Sequence, residues 1–439
     1  MEDSFFDRNR DLLKKVLGIN DVVVEMLAIE TERRSRYSFL LRHSFLFHGL
    51  LSVVSNLLYP LFGLKRKTRI SNEDFIFVSC PDTFFRTRNI GLIAGTLKYH
   101  IIYLPNFHIS SALKYHSFFK KEGIAAFFPT IKLKDIWVAK KKFNALRKEI
   151  GEVSEVNNQK ALMVIANFLI QDNVAKEFVN NAASFKGKWI LEHDKFYFMP
   201  TVVNLHKQGN TCTMLQHGCF VEIDNDFMPL FCDKVLCCSE RERQTYISYG
   251  VKPENVIAFG APLQAIGDRQ KTGISKGKRY KLLVLLTLVN DESFAPMQSV
   301  LRFVQQNYDS VLIRMRPRSK KNDMKLFHEE LKGFEISTNK NTLAEDISAC
   351  DKVISFSEDA NLEVAKLNKP FVYIHSWMGE ERQFRHDLPY ATSENYKDEI
   401  RKLMEQDFYS SFNKEQYREI LGEMDLNVLR EKFSNYVLS

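Results

Sequence analysis

From about Asp74 onward, short apolar runs alternate with helix-forming runs, and this alternation limits the possible folds more than any other feature of the sequence. It is typical of parallel α/β sheets whose strands are joined by helices. Ser239 and Glu242 have the spacing of a capping box, which predicts a helix ending near Gly250. The strands predicted in the first half are Phe75–Ser79, His100–Leu104, Ala161–Ala166, Trp189–Glu192, Thr211–Gln216, Lys234–Cys238 and Val256–Phe259.

The same pattern begins again after a polar segment, Gly267–Arg279, which we interpret as a domain boundary. The chain has 439 residues, which is too long for one ordinary hydrophobic core. We therefore predict an α/β protein with two doubly wound, Rossmann-like domains facing a cleft, and with an N-terminal helical extension. The expected boundaries are 1–70 for a helical segment able to associate with a membrane, 71–268 and 269–400 for the two domains, and 401–439 for helices that pack back. The strands predicted in the second half are Leu282–Leu288, Val311–Met315, Phe334–Ser337, Lys352–Phe356 and Phe371–Ile374.

Residues Ser44–Leu64 form a run without formal charge, flanked on both sides by arginines and lysines. The run is long enough to span a bilayer. His48, Asn56 and Pro60 interrupt it, which favours a segment lying at a membrane surface. A buried helical hairpin and a true span remain as alternatives.

The formal net charge of +8 favours anionic partners such as nucleotides or phospholipid head groups. Nucleic acid is not an expected partner, because the basic residues are scattered among acidic ones. The seven cysteines and the absence of a secretory leader indicate a reducing cytoplasm. Cys232, Cys237 and Cys238 lack the spacing of a zinc site, so we expect buried thiols.

Arg314 and Arg316 lie near the end of the strand predicted over Val311–Met315. Alternate residues of a strand share a face, and ligands of open α/β sheets bind at the carboxyl ends of the strands. Two guanidinium groups there suit phosphate. The alternative is a solvated or ion-paired set of arginines.

The next strand, Lys352–Phe356, leads directly into a helix predicted over Asn361–Asn368. A helix N-terminus at this position favours an anion. We expect Ser355 and Ser357 to donate to phosphate and Glu363 to accept from ribose hydroxyls. A second interpretation makes Ser357 a helix cap and Glu363 a surface residue. The predicted donor-binding set also includes two further residues of this turn, Glu358 and Asn361.

His217 follows an apolar strand and precedes Gly218, where the backbone can turn sharply. A histidine at a strand end is a candidate general base, with a structural histidine as the alternative. Glu192, Asp194 and Glu222 are carboxylates that can orient His217 or act as the base themselves. No metal cluster is expected among the acidic residues of these loops.

At these residues the sequence resembles glycosyltransferases of the GT-B fold that act in bacterial surface polysaccharide synthesis. The groups concerned are the polysialyltransferases, the capsule Kdo-transferases and the CDP-glycerol glycerophosphotransferases. The similarity covers roughly Trp189–Ile374. Its motifs are Gln216-His217-Gly218, an Arg316-Pro317 where those families usually have His-Pro, Phe356-Ser357 through Glu363-Val364-Ala365, and Asn368-Lys369-Pro370.

The resemblance implies an inverting transferase that needs neither metal nor cofactor and takes a nucleotide-activated sugar or polyol phosphate as co-substrate. It implies that His217 deprotonates the acceptor and that Arg316, Ser355 and Ser357 stabilise the departing phosphate. An arginine binds phosphate but cannot serve as a proton-donating acid. The expected acceptor is a surface glycan or lipid-linked glycan at the cytoplasmic face of the membrane. Two alternatives are a UDP-N-acetylglucosamine 2-epimerase-like enzyme and a non-catalytic glycan- or lipid-binding relative.

Overall fold

The structure of the chain is a computed structural model. The residues that it describes are 5–33, 73–79, 90–104, 126–127, 129, 131–151, 156–192, 198–216, 230–260, 279–287, 291–315, 327–337, 341–356, 360–361, 363–364, 367, 369–374, 390–392, 394–405, 422–423 and 425–439.

The described strands form two sheets in which every pair of neighbours is parallel. The first sheet has the order β3-β2-β1-β4-β5-β6-β7 and the second has the order β10-β9-β8-β11-β12-β13. This confirms the prediction of a doubly wound α/β fold. The strands are β1 Phe75–Ser79, β2 Tyr99–Tyr103, β3 Ala126–Phe127, β4 Lys188–Leu191, β5 Cys212–Leu215, β6 Lys234–Cys237, β7 Val256–Ala258, β8 Tyr280–Leu285, β9 Val311–Arg314, β10 Glu335–Ile336, β11 Cys350–Ser355, β12 Phe371–Ile374 and β13 Tyr390–Ala391.

Helices cover both faces of the sheets, and several begin where the sequence places a cap. The Ser239 hydroxyl accepts from the backbone N–H of Glu242 at 3.3 Å, and Thr342 and Glu345 form a reciprocal capping box. The helices whose bounds are described are α1 Phe5–Arg8, α2 Arg10–Leu17, α3 Asp21–Arg33, α4 Leu133–Ile150, α5 Val156–Asn181, α6 Met199–Lys207, α7 Glu240–Ser248, α8 Asp291–Asn307, α9 Leu343–Ser348, α10 Tyr396–Glu405 and α11 Leu426–Leu438.

The strand predicted over Ala161–Ala166 is wrong, because these residues lie inside α5. The run is apolar and mostly buried, and it packs in the core beside side chains of the N-terminal helices. A short apolar run reads the same way in a buried strand and in a helix that is covered on most of its circumference. The surrounding helices α3, α4 and α6 decide the outcome here.

The N-terminal helices belong to the core of the first domain. Phe5, Leu13, Leu17 and Val24 are buried in the same apolar cluster as β1 and β4. Among the described helices none is long and apolar enough to cross a membrane. The uncharged run Ser44–Leu64 and nearly all of the predicted boundary segment Gly267–Arg279 lie outside the described residues.

The last helix, α11, lies against the first sheet although it follows the second sheet in sequence. Leu429, Phe433 and Val437 are buried against β1 and β2, and the Arg430 side chain donates to the carbonyl oxygen of Leu92 at 2.7 Å. The chain approaches this position through Gly422, whose φ is +65°. A Cβ atom there would lie 2.0 Å from the carbonyl oxygen of Cys238, so only glycine fits.

Candidate active site

In the first sheet, β2 and β3 lie on one side of β1. The next strand in the chain, β4, pairs with the other side of β1, and β5, β6 and β7 extend the sheet from there. Ligands of open α/β sheets bind at such a switch point, outside the carboxyl ends of the two strands. Ser79 ends β1, and Glu192 follows β4 directly beside it. The Ser79 hydroxyl donates to the Glu192 carboxylate, and the two residues are 0% and 2% exposed. A buried carboxylate therefore lies at the first switch point.

The neighbouring strand end, after β5, carries a second buried polar pair. The Gln216 amide donates to the Glu242 carboxylate, and both side chains are buried. The contact fixes the end of β5 against the first turn of α7. His217 follows Gln216 in the chain and lies outside the described residues.

The second sheet has its switch point between β8 and β11. One row of paired residues crosses its carboxyl edge, with Leu285 of β8 between Arg314 of β9 and Ser355 of β11. Tyr373 of β12 continues the row beside Ser355. Paired residues of parallel strands point to the same face, so the predicted residues Arg314 and Ser355 share a face. Ser355 has no exposed surface.

Arg314 is paired with a carboxylate. Its Nη1 atom donates to Asp346 of α9, and it lies 3.1 Å from the carbonyl oxygen of Asn341. The side chains of Arg314 and Asp346 are 10% and 1% exposed. These contacts match the ion-paired alternative for Arg314, and phosphate binding by this residue stays a prediction. The pair fastens the end of β9 to the first turns of α9.

The residues after β11 include a buried polar atom that has no partner among the described residues. Residues 360, 361, 363 and 364 are helical, and the last three of them belong to the helix predicted over Asn361–Asn368. Asn361 is 3% exposed, and its Oδ1 atom has no hydrogen-bond partner among the described residues. Glu363, by contrast, is half-buried. Buried polar atoms are nearly always hydrogen-bonded, so Asn361 marks a place where a ligand can donate.

Several predicted site residues lie outside the described residues, and their roles stay predictions. Glu192, Arg314, Ser355, Asn361 and Glu363 are the described members of the set. The others are Asp194, His217, Gly218, Glu222, Arg316, Ser357 and Glu358.

Sequence reasoning missed Ser79 and Asp346, which contact two of the predicted residues. Ser79 ends a predicted strand, so its position at a carboxyl edge was visible in the sequence. Its contact with Glu192 was not visible, because β1 and β4 are neighbours only in the folded sheet. Asp346 lies in the predicted helix after the Thr342 capping box, where an acidic residue also suits the helix dipole.

A further group of polar side chains lies at the opposite, amino end of the first sheet. The His206 Nε2 atom is 2.9 Å from Asp233 Oδ2, which also accepts from the backbone N–H of Cys212 at 2.8 Å. Hydrogen bonding to Asp233 and then to Cys212 raises the pKa of His206 to about 10. A hydrogen bond from Cys232 is the main cause that lowers the pKa of the Cys212 thiol.

Cys232, Cys237 and Cys238 are buried thiols, as the sequence predicts. Burial is the main cause that raises the pKa of Cys237, and the nearby Glu242 carboxylate adds to it. Cys237 therefore keeps its proton at neutral pH. Cys232 instead hydrogen-bonds to Cys212, a residue that sequence reasoning did not single out.

Solved structures share this two-domain fold at low sequence identity. UDP-GlcNAc 2-epimerase from Neisseria meningitidis, solved with UDP-GlcNAc, is 11% identical with a TM-score of 0.56, and the match covers 83% of this chain and 99% of that one. HepE from Anabaena, solved with UDP, is 10% identical with a TM-score of 0.51, again over 83% and 99%. The lipopolysaccharide outer core galactosyltransferase WaaB, in its apo form, is 8% identical with a TM-score of 0.50, over the same shares.

No family model matches the chain, and no curated protein gives a significant sequence match. At identities of 8–11% the similarity concerns the fold. The chain thus has the two-domain α/β architecture of GT-B-fold glycosyltransferases and UDP-GlcNAc 2-epimerases.

Proposed function

We propose that this chain is a glycosyltransferase that moves a sugar from a nucleotide-activated donor to a glycan acceptor. The observation that carries the proposal is the buried Asn361 Oδ1 atom, which has no partner among the described residues and lies just after β11. Asn361 follows β11, one of the two strands at the switch point of the second sheet. A ribose hydroxyl or a base N–H of the donor supplies the missing hydrogen bond.

The second domain holds the donor. Ser355 ends β11 at the switch point, and the predicted phosphate-binding residues Ser357 and Glu358 follow it in the chain. Because Ser355 is fully buried, we assign it to positioning this turn. Two solved structures with the same fold contain UDP or UDP-GlcNAc, which makes uridine diphosphate the first nucleotide to test.

The first domain activates the acceptor. His217 follows β5, and Glu192 follows β4, its neighbour in the sheet. In this proposal His217 takes the proton of the attacking hydroxyl, and the buried Glu192 carboxylate holds it in position and stabilises its charged form. Such proton transfer contributes roughly 10²–10⁴-fold to the rate.

The direct test is nucleotide binding followed by transfer. Calorimetry with UDP, GDP, CDP and CMP is expected to rank one nucleotide above the others, and the matching nucleotide sugar is then the donor. Asn361→Ala removes the acceptor oxygen and leaves the ribose hydroxyl or base N–H of the donor without a partner, so we expect roughly tenfold or greater loss of affinity, in line with the 1–3 kcal/mol of an unsatisfied buried group. Asn307→Ala, at an exposed position of α8, is the matched control. If no nucleotide binds, the proposal is wrong.

An epimerase acting on UDP-N-acetylglucosamine is the second candidate function. The similarity to the Neisseria enzyme and the buried carboxylate at the first switch point favour it. An epimerase interconverts the two UDP-sugar isomers without any acceptor, whereas a transferase needs one. Incubation with UDP-N-acetylglucosamine alone, followed by NMR of the sugar, separates the two.

The acceptor is proposed to be a surface glycan or lipid-linked glycan at the inner face of the plasma membrane. This proposal depends on the uncharged run Ser44–Leu64 and its flanking cations. Co-sedimentation with vesicles containing anionic lipid is the measurement. Loss of binding after charge reversal of Lys65, Arg66 and Lys67 would support an electrostatic contact.

A further inference from the structure

The amino end of the first sheet brings together three side chains that are all good metal ligands. His206 comes from the last turn of α6, Cys212 is the first residue of β5, and Asp233 immediately precedes β6. One donor atom of each, nitrogen, sulfur and oxygen, lies within 4.8 Å of the other two. The strands that separate this group from the first switch point are about 13 Å long, so the two ends do not share a site.

The backbone holds this group in place. Asp233 N–H donates to the carbonyl oxygen of Cys212 at 3.1 Å, and Cys212 N–H donates to Asp233 Oδ2 at 2.8 Å. These two bonds are made at the point where β5 and β6 begin to pair. The Cys212 backbone and the Asp233 carboxylate are therefore held against each other where the two strands begin.

Access to the group is on one side. Cys212 is 1% exposed, whereas the side chains of His206 and Asp233 are 37% and 33% exposed. They line a cavity of about 850 Å³ between the N-terminal helices and the first sheet. Gly18, Ile19 and Val23 form its other wall. A metal ion bound by the three donors would keep one open position toward this cavity.

We propose that His206, Cys212 and Asp233 bind a zinc ion, with a water molecule in the fourth position. Nitrogen, thiolate and carboxylate ligands in tetrahedral arrangement are those of zinc. Binding replaces the proton of the Cys212 thiol, and that of a charged His206, and both protons go to solvent. The thiol of Cys232, which hydrogen-bonds to Cys212, then donates to the bound thiolate.

The adjustment needed is small. Two ligands at about 2.0 Å from a tetrahedral ion lie about 3.3 Å apart, and a thiolate at about 2.3 Å lies slightly further from each. The His206 Nε2 to Asp233 Oδ2 distance is 2.9 Å, and no pair of donor atoms exceeds 4.8 Å. Rotation of the half-exposed His206 ring changes the distances from its nitrogen to the other two donors.

The ion ties α6 to β5 and β6 in the first domain. Its role is therefore independent of the proposed transfer reaction, and it is tested without any sugar substrate. The full-length chain is stripped with a chelator, dialysed, and titrated with Zn²⁺ against a chromophoric competitor. We expect one zinc ion per chain, a rise in melting temperature on adding Zn²⁺, and a thiolate-to-metal absorption band when Co²⁺ replaces it.

Cys212→Ala and His206→Gln are expected to lower zinc affinity by at least about tenfold. His328→Ala is the matched control, because His328 also contacts a carboxylate, Glu329 at 3.2 Å, but both are exposed and in the second domain. Cys350→Ala is the control for loss of a buried thiol. Neither control is expected to change the affinity.

His206→Gln alters a half-exposed side chain, so it keeps the test valid if Cys212→Ala fails to fold. The proposal is overturned if the stripped protein takes up no zinc, or if both variants bind it as tightly as the controls do. Formation of a disulfide between Cys212 and Cys232 under mild oxidant, without any zinc uptake by the reduced protein, would also overturn it.

Discussion

In the first sheet the strands at the switch point lead into Ser79 and Glu192, whereas in the second sheet they end in Leu285 and Ser355. At the first position the Glu192 carboxylate accepts a hydrogen bond from the Ser79 hydroxyl. In the second sheet the nearby charge, Arg314, is neutralised by Asp346. Among the described residues, the same topology thus places a buried carboxylate at the switch point of one sheet, and a hydroxyl and an amide at and after the end of the corresponding strand of the other. The difference is in line with the proposed division, in which the first domain moves a proton and the second holds an anionic nucleotide.

The largest expected effect concerns the buried ion pair of the second domain. Asp346→Ala leaves the Arg314 guanidinium buried without a carboxylate, which costs about 3–5 kcal/mol of unfolding free energy. Denaturant unfolding measures it through the transition midpoint. The double variant Arg314→Met, Asp346→Leu is expected to recover most of the loss, because it removes both charges. An Asp346→Ala midpoint equal to that of the parent would show that the pair contributes nothing.

Glu192→Gln tests the charge at the first switch point. The amide keeps the size of the side chain and a hydrogen bond to Ser79, so the fold is expected to survive. If Glu192 stabilises charged His217, kcat falls by about 10²-fold. The acidic limb of the kcat/KM profile moves to lower pH, because the histidine loses a neighbouring anion. Glu149→Gln, at an exposed position of α4, serves as the control. An unchanged pH profile would assign Glu192 to structure alone.

Ser355→Ala tests the buried hydroxyl that we assign to positioning the turn after β11. Loss of its hydrogen bond within the protein is expected to shift this turn and to weaken nucleotide binding by roughly 0.5–1.5 kcal/mol, about two- to tenfold. The effect should appear in the nucleotide dissociation constant and in KM, with little change in kcat. Ser348→Ala, at the end of α9, is the control. A larger effect on kcat than on KM would contradict a role limited to positioning the donor-binding turn.

The smallest expected effect is that acid changes the contributions of two buried carboxylates, one in each domain, to the free energy of unfolding in opposite directions. Burial is the main cause that raises the pKa of Asp135 in the first domain. In the second domain burial acts the same way on Glu330, but its backbone N–H, Gln298 and Arg302 outweigh it and lower the pKa. Stability from Glu330 is present above its unfolded pKa near 4.5 and is lost as the pH falls through the folded value. Asp135 has the opposite effect on stability. Because its pKa is raised in the folded protein, its protonation in acid favours the folded state.

Two single substitutions measured by unfolding between pH 3 and pH 7 separate these contributions. Asp135→Asn is expected to gain stability relative to the parent at neutral pH and to lose that gain in acid. Glu330→Gln is expected to lose stability at neutral pH and to approach the parent in acid. Parallel pH curves for parent and variants would contradict both assignments.

The strand and helix pattern was largely available from the sequence, because alternating apolar runs and capping residues are local signals. β1 and β12 have the predicted bounds, and the caps at Ser239 and Thr342 form as expected. Ala161–Ala166 was mistaken for a strand, because an apolar run cannot show whether sheet neighbours or surrounding helices will bury it.

The sequence by itself determined the α/β class, the two-domain organisation, and the placement of Glu192 and Ser355 at strand ends. Only the tertiary structure decided which strand ends lie together. That step placed Glu192 beside Ser79, paired Arg314 with Asp346, and brought His206 to Cys212 and Asp233. These contacts join residues up to 113 positions apart, and strand order and crossover direction set them. Local patterns do not encode that order, so no reading of single motifs could supply the contacts.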